Sequence, residues 1–288
     1  MAERTSGSRP PANAAREAAE ALLRGVRARL REGSLDWRPW VDRWDRMQRH
    51  YLVRRDERIE TLVRLVRTSQ RPDARILDLG CGTGSLMHAF LEALPECRVV
   101  GVDFDPTLLP LAEARLAPFA GRWQVVLADL RGPSWPEAVG GPVDAVVSAT
   151  ALHWLRPDAL ARLYRQLAAV LRPGGILLNA DHVASAHPPV QDAWERHRTE
   201  MRQQEDAGDA EDWASFWTAY TAALGLDAPE VHQRVLGGWE GGIEQGMPLA
   251  WHIDQLRAAG FTAVDCFWRC DADAIYGGIR EGESNDED

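Results

Sequence analysis

Three glycines at alternate positions follow a short apolar segment, in the sequence ILDLGCGTG of residues 76–84. At Gly80, Gly82 and Gly84 the backbone could turn sharply and approach a ligand with no Cβ in the way. Nicotinamide and flavin enzymes share this kind of loop, but their pattern has glycine at the sixth position, where this chain has Ser85. The loop therefore predicts a nucleotide-like ligand and argues against a dinucleotide.

Three aspartates accompany this loop at the ends of apolar runs. Asp78 directly precedes the glycines, Asp103 ends the run 99–102, and Asp129 follows the run 123–127. A carboxylate after the second strand can accept hydrogen bonds from both hydroxyls of a ribose. Asp129 could accept a hydrogen bond from an adenine amino group. Since ligands of open α/β sheets bind along the carboxyl edge of the strands, these acids predict a site at that edge.

Short apolar runs that alternate with helical patterns must position these residues. Strands are predicted at Arg75–Leu79, Arg98–Val102, Trp123–Leu127, Val143–Ser148 and Gly175–Asn179, with helices at Leu86–Leu94 and Leu108–Leu116 among them. Such alternation indicates a parallel sheet covered on both faces. A helix at Pro248–Ala259 precedes two strands, Thr262–Cys270 and Ala274–Ile279, whose short link makes them antiparallel. The predicted fold is α/β: a Rossmann-like, seven-stranded, mostly parallel sheet with an antiparallel last strand.

Helical patterns outside this alternation predict a lid. The N-terminal segment 1–70 should be disordered over 1–11 and helical over about 12–32, 38–50 and 54–68. The core should span 71–187 and 247–280. Residues 188–246 are expected to form a helical cap, with helices at Val190–Glu205 and Trp213–Leu224, and the acidic tail 281–288 should be disordered. Lid and cap are expected to meet over the carboxyl edge of the sheet.

The ordered set of motifs resembles the class I S-adenosylmethionine (SAM)-dependent methyltransferases. ILDLGCGTG is similar to their first motif, VVGVDFD to the second and VLADL to the third. VDAVVSATALHWL resembles the motif of the fourth strand, and LRPGG the turn before the fifth. YLVRRDERI and ALHWL are most similar to the trans-aconitate methyltransferase-like, small-molecule branch.

The resemblance implies SAM as the cofactor and assigns roles to particular residues. Gly80, Cys81 and Gly82 would line the methionine moiety, with Asp78 near its amino group. Asp103 would hold the ribose. The other residues implied at the cofactor are Gly84, Phe104, Asp129, Leu130, Ser148, Tyr51 and Arg58. Tyr51 and Arg58 would close over the cofactor, and Arg58 could pair with its carboxylate; both could equally be ordinary residues of a helix surface.

Methyl transfer needs a base only when the acceptor arrives protonated. His153 and His182 are the candidates, since each follows a predicted strand end. His153 could instead only shape the cofactor pocket. Asp181 could orient His182 or simply begin the next loop. Of the twelve tryptophans, Trp154, Trp213 and Trp217 are expected to line an apolar acceptor pocket, although they could also serve only to pack lid against cap.

The composition limits the classes of partner that the protein is expected to bind. A net charge of −10 disfavours nucleic acid. No apolar run approaches the roughly 20 residues that a membrane helix needs, and the first residues lack the apolar stretch of a signal peptide, so a cytoplasmic protein, monomeric or homodimeric, is expected. Four scattered cysteines predict neither disulfides nor a metal site.

The sequence therefore predicts an enzyme, a SAM-dependent methyltransferase that acts on a small-molecule acceptor through an oxygen, nitrogen, sulfur or carboxylate nucleophile. The alternatives are a non-catalytic SAM-binding regulatory or partner protein, and a nicotinamide-dependent oxidoreductase.

Overall fold

A computed structural model describes residues 12–204, 211–226 and 246–281 of the chain. The disorder expected of residues 1–11 and 282–288, and two parts of the expected cap, lie outside these described residues. No helix among the described residues is long and apolar enough to cross a membrane.

Seven strands form one sheet with the order β3-β2-β1-β4-β5-β7-β6. The strands are β1 Arg75–Leu79, β2 Arg98–Asp103, β3 Trp123–Leu127, β4 Val143–Ala149, β5 Leu171–His182, β6 Phe261–Cys270 and β7 Asp273–Arg280. β1 to β5 pair in parallel, and β7 runs antiparallel to both β5 and β6. The predicted fold class and the antiparallel last strand are confirmed. The sequence-based bounds of β5 were too short, because pairing with β7 extends the strand to His182.

The described helices are α1 Ala12–Arg31, α2 Arg38–Tyr51, α3 Arg55–Ser69, α4 Ser85–Ala93, α5 Leu109–Leu116, α6 Trp135–Val139, α7 Pro157–Val170, α8 Pro188–Gln204, α9 Trp213–Ala223 and α10 Leu249–Ala258. Short 3₁₀ turns cover Ala117–Phe119 and Leu152–Trp154. The Asp212 side chain accepts a hydrogen bond from the amide of Ser215 at 2.7 Å. That bond caps α9 and explains why the helix begins at Trp213.

Side chains alternate between two apolar cores, one on each face of the sheet. Ile76 packs with α3, α4 and α5, whereas Leu77 and Leu79 of the same strand pack with α6, α7 and α10. This is the expected behaviour of a strand whose successive side chains point to opposite faces. The unbroken apolar runs in the sequence follow from burial on both sides.

A third core, outside the sheet, joins α1, α2, α5 and α9. Its centre is Phe216 of α9, which is fully buried and lies with ring centroids 5.4 Å from Trp44 and 6.3 Å from Trp40 of α2. Aromatic pairs at such distances add to the free energy of burial. This aromatic core holds α9 against α2 beside the carboxyl edge of the sheet.

Replacing Phe216 with alanine should therefore lower the free energy of unfolding by about 3–5 kcal/mol, since the variant leaves a cavity between two helices. Phe119→Ala is the matched control, because Phe119 is only half-buried. Urea unfolding followed by tryptophan fluorescence measures both changes. Equal losses in the two variants would contradict the central place of Phe216.

Candidate functional site

A cavity of about 650 Å³ opens at the carboxyl edge of the parallel strands, between the glycine loop and helices α2, α3 and α9. Its lining includes fifteen of the residues that the sequence singled out: Tyr51, Arg58, Asp78, Gly80, Cys81, Gly82, Asp103, Phe104, Asp129, Leu130, His153, Trp154, His182, Trp213 and Trp217. The structure thus brings both histidines, the three acids and three tryptophans to one cavity. Gly84 and Ser148 are absent from its lining.

The glycine loop owes its shape to left-handed backbone at Gly80 and Gly82, whose φ angles are +70° and +51°. A Cβ on Gly80 would lie 2.3 Å from the Cβ of Ala151, so only glycine fits there. At Gly82 the nearest side chain is Trp44, 3.6 Å from the position of a Cβ. The segment after β4 therefore lies directly against the loop, and α2 lies above it.

Two residues that the sequence assigned to the cofactor lie outside the lining of this cavity. A Cβ on Gly84 would meet the Cβ of Ala112 at 3.1 Å, so this glycine allows α4 to pack closely on α5 and does not face the cavity. The hydroxyl of Ser148 is buried and donates a hydrogen bond to the carbonyl of Leu79 at 2.8 Å. Ser148 therefore joins β4 to β1 below the site.

Both carboxylate oxygens of Asp103 accept hydrogen bonds from backbone amides, one in the glycine loop and one in the segment after β2. Oδ2 accepts from the amide of Gly82 at 2.7 Å, and Oδ1 accepts from the amide of Asp105 at 2.9 Å. Burial raises the pKa of Asp103 to about 6, while these amide bonds act in the opposite direction. Asp103 thus fixes the loop as well as facing the cavity.

The environment of Asp78 differs from that of Asp103. It is 1% exposed, and its Oδ2 has no hydrogen-bond partner. Burial, followed by the nearby charge of Asp103, raises the pKa of Asp78 to about 8. A buried polar atom without a partner costs free energy, so its presence at a cavity wall indicates a ligand.

Asp129 and Arg131 form an ion pair at the third strand. Arg131 Nη2 lies 2.8 Å from Asp129 Oδ2, and the guanidinium lies 5.8 Å from the ring centroid of Phe104. The sequence had singled out Asp129 and Phe104 but not the arginine that joins them.

Two histidine–aspartate pairs lie side by side. His153 Nδ1 is 2.6 Å from Asp181 Oδ1, and His182 Nδ1 is 2.7 Å from Asp273 Oδ1. The two imidazole rings are 4.9 Å apart. Asp181 therefore does not orient the ring of His182, as the sequence had suggested it could. Its carboxylate contacts the ring of His153 and accepts a hydrogen bond from the backbone amide of His182 at 2.9 Å.

Arg58 is 3% exposed, and its Nη1 lies 3.3 Å from Asp273 Oδ1. Its Nη2 is buried without a partner. Burial alone would raise the pKa of Asp273, but the hydrogen bond from His182 and the charge of Arg58 hold it below its ordinary value. Tyr51 accepts a hydrogen bond from the amide of Trp213 at 3.1 Å, which ties α2 to the start of α9.

Among the described residues, no group of three or more histidine, cysteine or acidic side chains could hold a metal ion.

Comparisons with known proteins agree with this geometry. The methyltransferase domain family matches residues 76–175. A trans-aconitate 2-methyltransferase of Deinococcus radiodurans is 31% identical over 206 residues, which cover 66% of this chain and 75% of that protein. The chain belongs to the class I SAM-dependent methyltransferases.

Other relatives of this methyltransferase match over shorter spans. A trans-aconitate 2-methyltransferase of Streptomyces avermitilis is 35% identical over 48% of this chain and 50% of that protein. A malonyl-[acyl-carrier protein] O-methyltransferase of Hahella chejuensis is 34% identical over 47% and 45%. The chain thus spans about half the length of these two relatives. The crystal structure of magnesium protoporphyrin IX methyltransferase from Synechocystis with bound S-adenosylhomocysteine (SAH) has the same fold, with a TM-score of 0.53, 14% identity, and coverage of 84% and 94%.

The methyltransferase cavity also contains residues that sequence reasoning missed. Trp44, Gln48, Arg55 and Arg131 line it, and Asp273 supports it from behind His182 and Arg58. The proximity of Trp37, Trp40 and Trp44 in the sequence was the one signal for Trp44. Nothing in the sequence pattern marked Asp273, since its role comes from strand register.

The raised pKa of Asp78 predicts how the ligand-free protein responds to pH. The folded state keeps a proton on Asp78 up to a pKa of about 8, whereas the unfolded chain releases it near 3.9. The unfolding free energy should therefore fall as pH rises through that window. Asp78→Asn should flatten the slope between about pH 6 and pH 8, and the variant should be the more stable protein at the upper limit.

Chemical denaturation across that pH range measures the slope. Asp254→Asn is the matched control, because Asp254 is exposed on α10. An unchanged slope in Asp78→Asn would show that Asp78 is ionised in the ligand-free protein.

Proposed function

We propose that this methyltransferase binds SAM along the glycine loop and transfers its methyl group to a small organic acceptor enclosed beneath α2 and α9. One observation carries the proposal: a single cavity of about 650 Å³ joins the glycine loop, two histidine–aspartate pairs and a tryptophan wall. That volume falls within the ordinary range for small-molecule sites, roughly 300–1,000 Å³.

The unpartnered atoms fit the methionine part of SAM. That part carries one ammonium and one carboxylate group, and the cavity offers Asp78 Oδ2 and Arg58 Nη2, both buried without partners. A carboxylate would accept from the ammonium, and the guanidinium would donate to the carboxylate. Backbone groups of Gly80, Cys81 and Gly82 would line the chain between them.

The rest of the cofactor would follow the strand ends. Asp103 would accept bonds from the ribose hydroxyls while its amide bonds keep it in place. Phe104 would flank the adenine, and Leu130 and Asp129 would contact its edge. Asp129 is already paired with Arg131, so it would share its oxygens between that arginine and the ligand.

SAM supplies, when bound, an electrophilic methyl group on a sulfonium. The protein's contribution is then orientation and the exclusion of water. Trp44 and Trp217 cover the cavity, with ring centroids 6.1 Å apart. Trp154 and Trp213 are 37% and 40% exposed, so they mark the rim through which an acceptor would enter.

An enclosed site favours small acceptors over macromolecules. The relatives act, by their names, on trans-aconitate and on a malonyl group carried by a protein. The four cysteines are free, which suits a cytoplasmic enzyme. A monomeric or homodimeric state stays a prediction.

Calorimetric titration with SAM and with NAD tests the cofactor, and a screen of acceptors for SAH release tests the reaction. The proposal expects SAM binding, no NAD binding, and SAH release that depends on an acceptor. Binding of SAM without release from any acceptor would support a non-catalytic protein instead.

Asp103→Asn should weaken SAM binding by roughly 10- to 100-fold, because the change removes a charged acceptor and disturbs its bond to Gly82. Calorimetry with SAM measures the loss, and the exposed Asp254→Asn should bind as the natural protein does. Unchanged affinity in a folded Asp103→Asn protein would contradict the ribose assignment.

Trp213→Ala should raise the KM for the acceptor by about tenfold, equivalent to the loss of a stacking contact and its buried area, with little change in SAM affinity. Trp251→Ala is the matched control, since Trp251 is a half-buried residue of α10 outside the cavity lining. Steady-state kinetics with an acceptor from the screen measures both. A KM that stays constant in Trp213→Ala would place the acceptor elsewhere.

A further inference from the structure

We infer that the acceptor is a planar aromatic molecule that reacts through a hydroxyl group, and that His153 accepts the hydroxyl proton. This inference rests on the proposed function and goes beyond it by naming the class of acceptor. Four features carry it: the fixation of His153, the charge balance of its neighbours, the pairing of each described arginine of the cavity lining with an acid, and the aromatic wall.

His153 is held at two points by one carboxylate. Its backbone amide donates to Asp181 Oδ2 at 2.9 Å, and its Nδ1 lies 2.6 Å from Asp181 Oδ1. A carboxylate on Nδ1 keeps the proton there and leaves Nε2 with a lone pair. Because the ring of His153 lines the cavity, Nε2 is the nitrogen that an acceptor can reach.

Asp181 can stabilise the imidazolium that forms. It is 1% exposed, and although burial raises its pKa, the facing His153 and His182 and their hydrogen bonds hold that pKa well below the ordinary value. The buried His252 lies on the other side, and burial lowers its pKa to about 4, so His252 stays neutral and does not compete for the charge.

The carboxylate beside His182 has a second partner. That carboxylate, Asp273, is shared with Arg58, whose Nη1 lies 3.3 Å away. A guanidinium already neutralises Asp273, so less negative charge remains to stabilise a second imidazolium. The rings of His153 and His182 are 4.9 Å apart, and two positive rings at that distance would repel. The geometry therefore assigns the proton-accepting role to His153.

The cavity is poorly suited to an acceptor with several carboxylates. The three arginines that line it within the described part of the chain are all in ion pairs: Arg55 with Asp45 at 3.4 Å, Arg58 with Asp273 at 3.3 Å, and Arg131 with Asp129 at 2.8 Å. The remaining Nη2 of Arg58 is assigned above to the cofactor. Asp103 and Asp105 add negative charge to the lining. An uncharged acceptor avoids repulsion from these acids.

The aromatic wall adjoins the base. The ring centroids of His153 and Trp154 are 4.7 Å apart, and Trp154 lies 6.5 Å from Trp213 with an angle of 31° between the planes. A planar ring that stacks on either tryptophan would lie beside the imidazole. Its hydroxyl substituent could then reach Nε2 while the ring stays among apolar neighbours.

The reaction balances with these groups. The hydroxyl oxygen gives its proton to Nε2 of His153 and forms a bond to the methyl carbon as the carbon–sulfur bond breaks. The electron pair of that bond stays on sulfur, and SAH leaves as a neutral thioether. The imidazolium then releases the proton to water.

A binding experiment without turnover tests proton transfer directly. The probe is 4-nitrophenol, whose phenolate absorbs visible light, added to protein saturated with SAH at a pH below the probe's own ionisation. We expect visible absorbance to rise on binding to the natural protein and not to rise with His153→Gln. His197→Gln is the matched control, because His197 also pairs through Nδ1 with an aspartate, Asp271, but lies outside the cavity lining.

A kinetic experiment tests the acceptor class, with 1-naphthol and 1-naphthoate as probes of matched shape. We expect methylation of naphthol, a fall in kcat of roughly 10²- to 10⁴-fold in His153→Gln, and unchanged SAM affinity by calorimetry. The loss should shrink at alkaline pH, where naphthol ionises without help. Asp181→Asn should lower the plateau and move the acid limb of kcat to lower pH, because the imidazolium loses its counter-charge.

The outcomes separate the two proposals. Failure to bind SAM would contradict the proposed function itself. SAM binding with methylation of naphthoate but not of naphthol, or of no hydroxylated arene, would overturn the inference alone. So would a rise in nitrophenolate absorbance that persists in His153→Gln, or no rise in the natural protein.

Discussion

Asp103 joins the end of β2 to the glycine loop, with one carboxylate oxygen on the amide of Gly82 and the other on the amide of Asp105. Parallel strands end at one edge, so the acid of the neighbouring strand, Asp78, lies close by without such donors. The amide bonds limit the rise in the pKa of Asp103 to about 6, whereas burial and the charge of Asp103 raise that of Asp78 to about 8. Asp78 and Asp103 thus have different pKa values because backbone amides donate to one carboxylate and not to the other.

The same edge explains the histidine pairs. β5 ends at His182, and the antiparallel β7 begins at Asp273, its direct partner in register. Because β7 runs antiparallel to β5, it begins at the edge of the sheet where β5 ends. The first residue of β7 therefore lies at the site. Arg58 of α3 reaches the same carboxylate, which couples the helix before the sheet to the last strand of the chain. Asp181 lies one residue earlier on β5, and its carboxylate contacts the ring of His153.

The features that the sequence predicted well are local. The glycine loop, Asp78, Asp103 and Asp129 follow apolar runs directly, so strand ends locate them without knowledge of packing. Asp273 depends on the pairing of β5 with β7, which no local pattern encodes. The position of Trp44 over the loop depends on the crossing of α2, although the tryptophans of the N-terminal helices were a signal for this residue. Gly84 and Ser148 were assigned to the cofactor by motif, yet contacts with Ala112 and Leu79 explain them as packing and strand-pairing residues. The partner of Asp181 was misjudged because proximity in sequence favoured His182.

Helix α5 links the two ends of the site. Below the glycine loop, Gly84 lets α4 approach Ala112 of α5 closely. Above it, Arg115 of α5 forms an ion pair with Asp45 of α2 at 2.6 Å, and Glu113 forms another with Arg27 of α1.

The aromatic core that seats α9 packs on this same framework, through Leu108 and Leu111. A shift of α2 or α9 therefore cannot leave the loop unaffected, since α5 contacts both. Trp154 and Trp213 lie at the rim of the cavity, where they are 37% and 40% exposed. Under the proposed function, acceptor choice would depend on this rim and cofactor binding on the sheet edge.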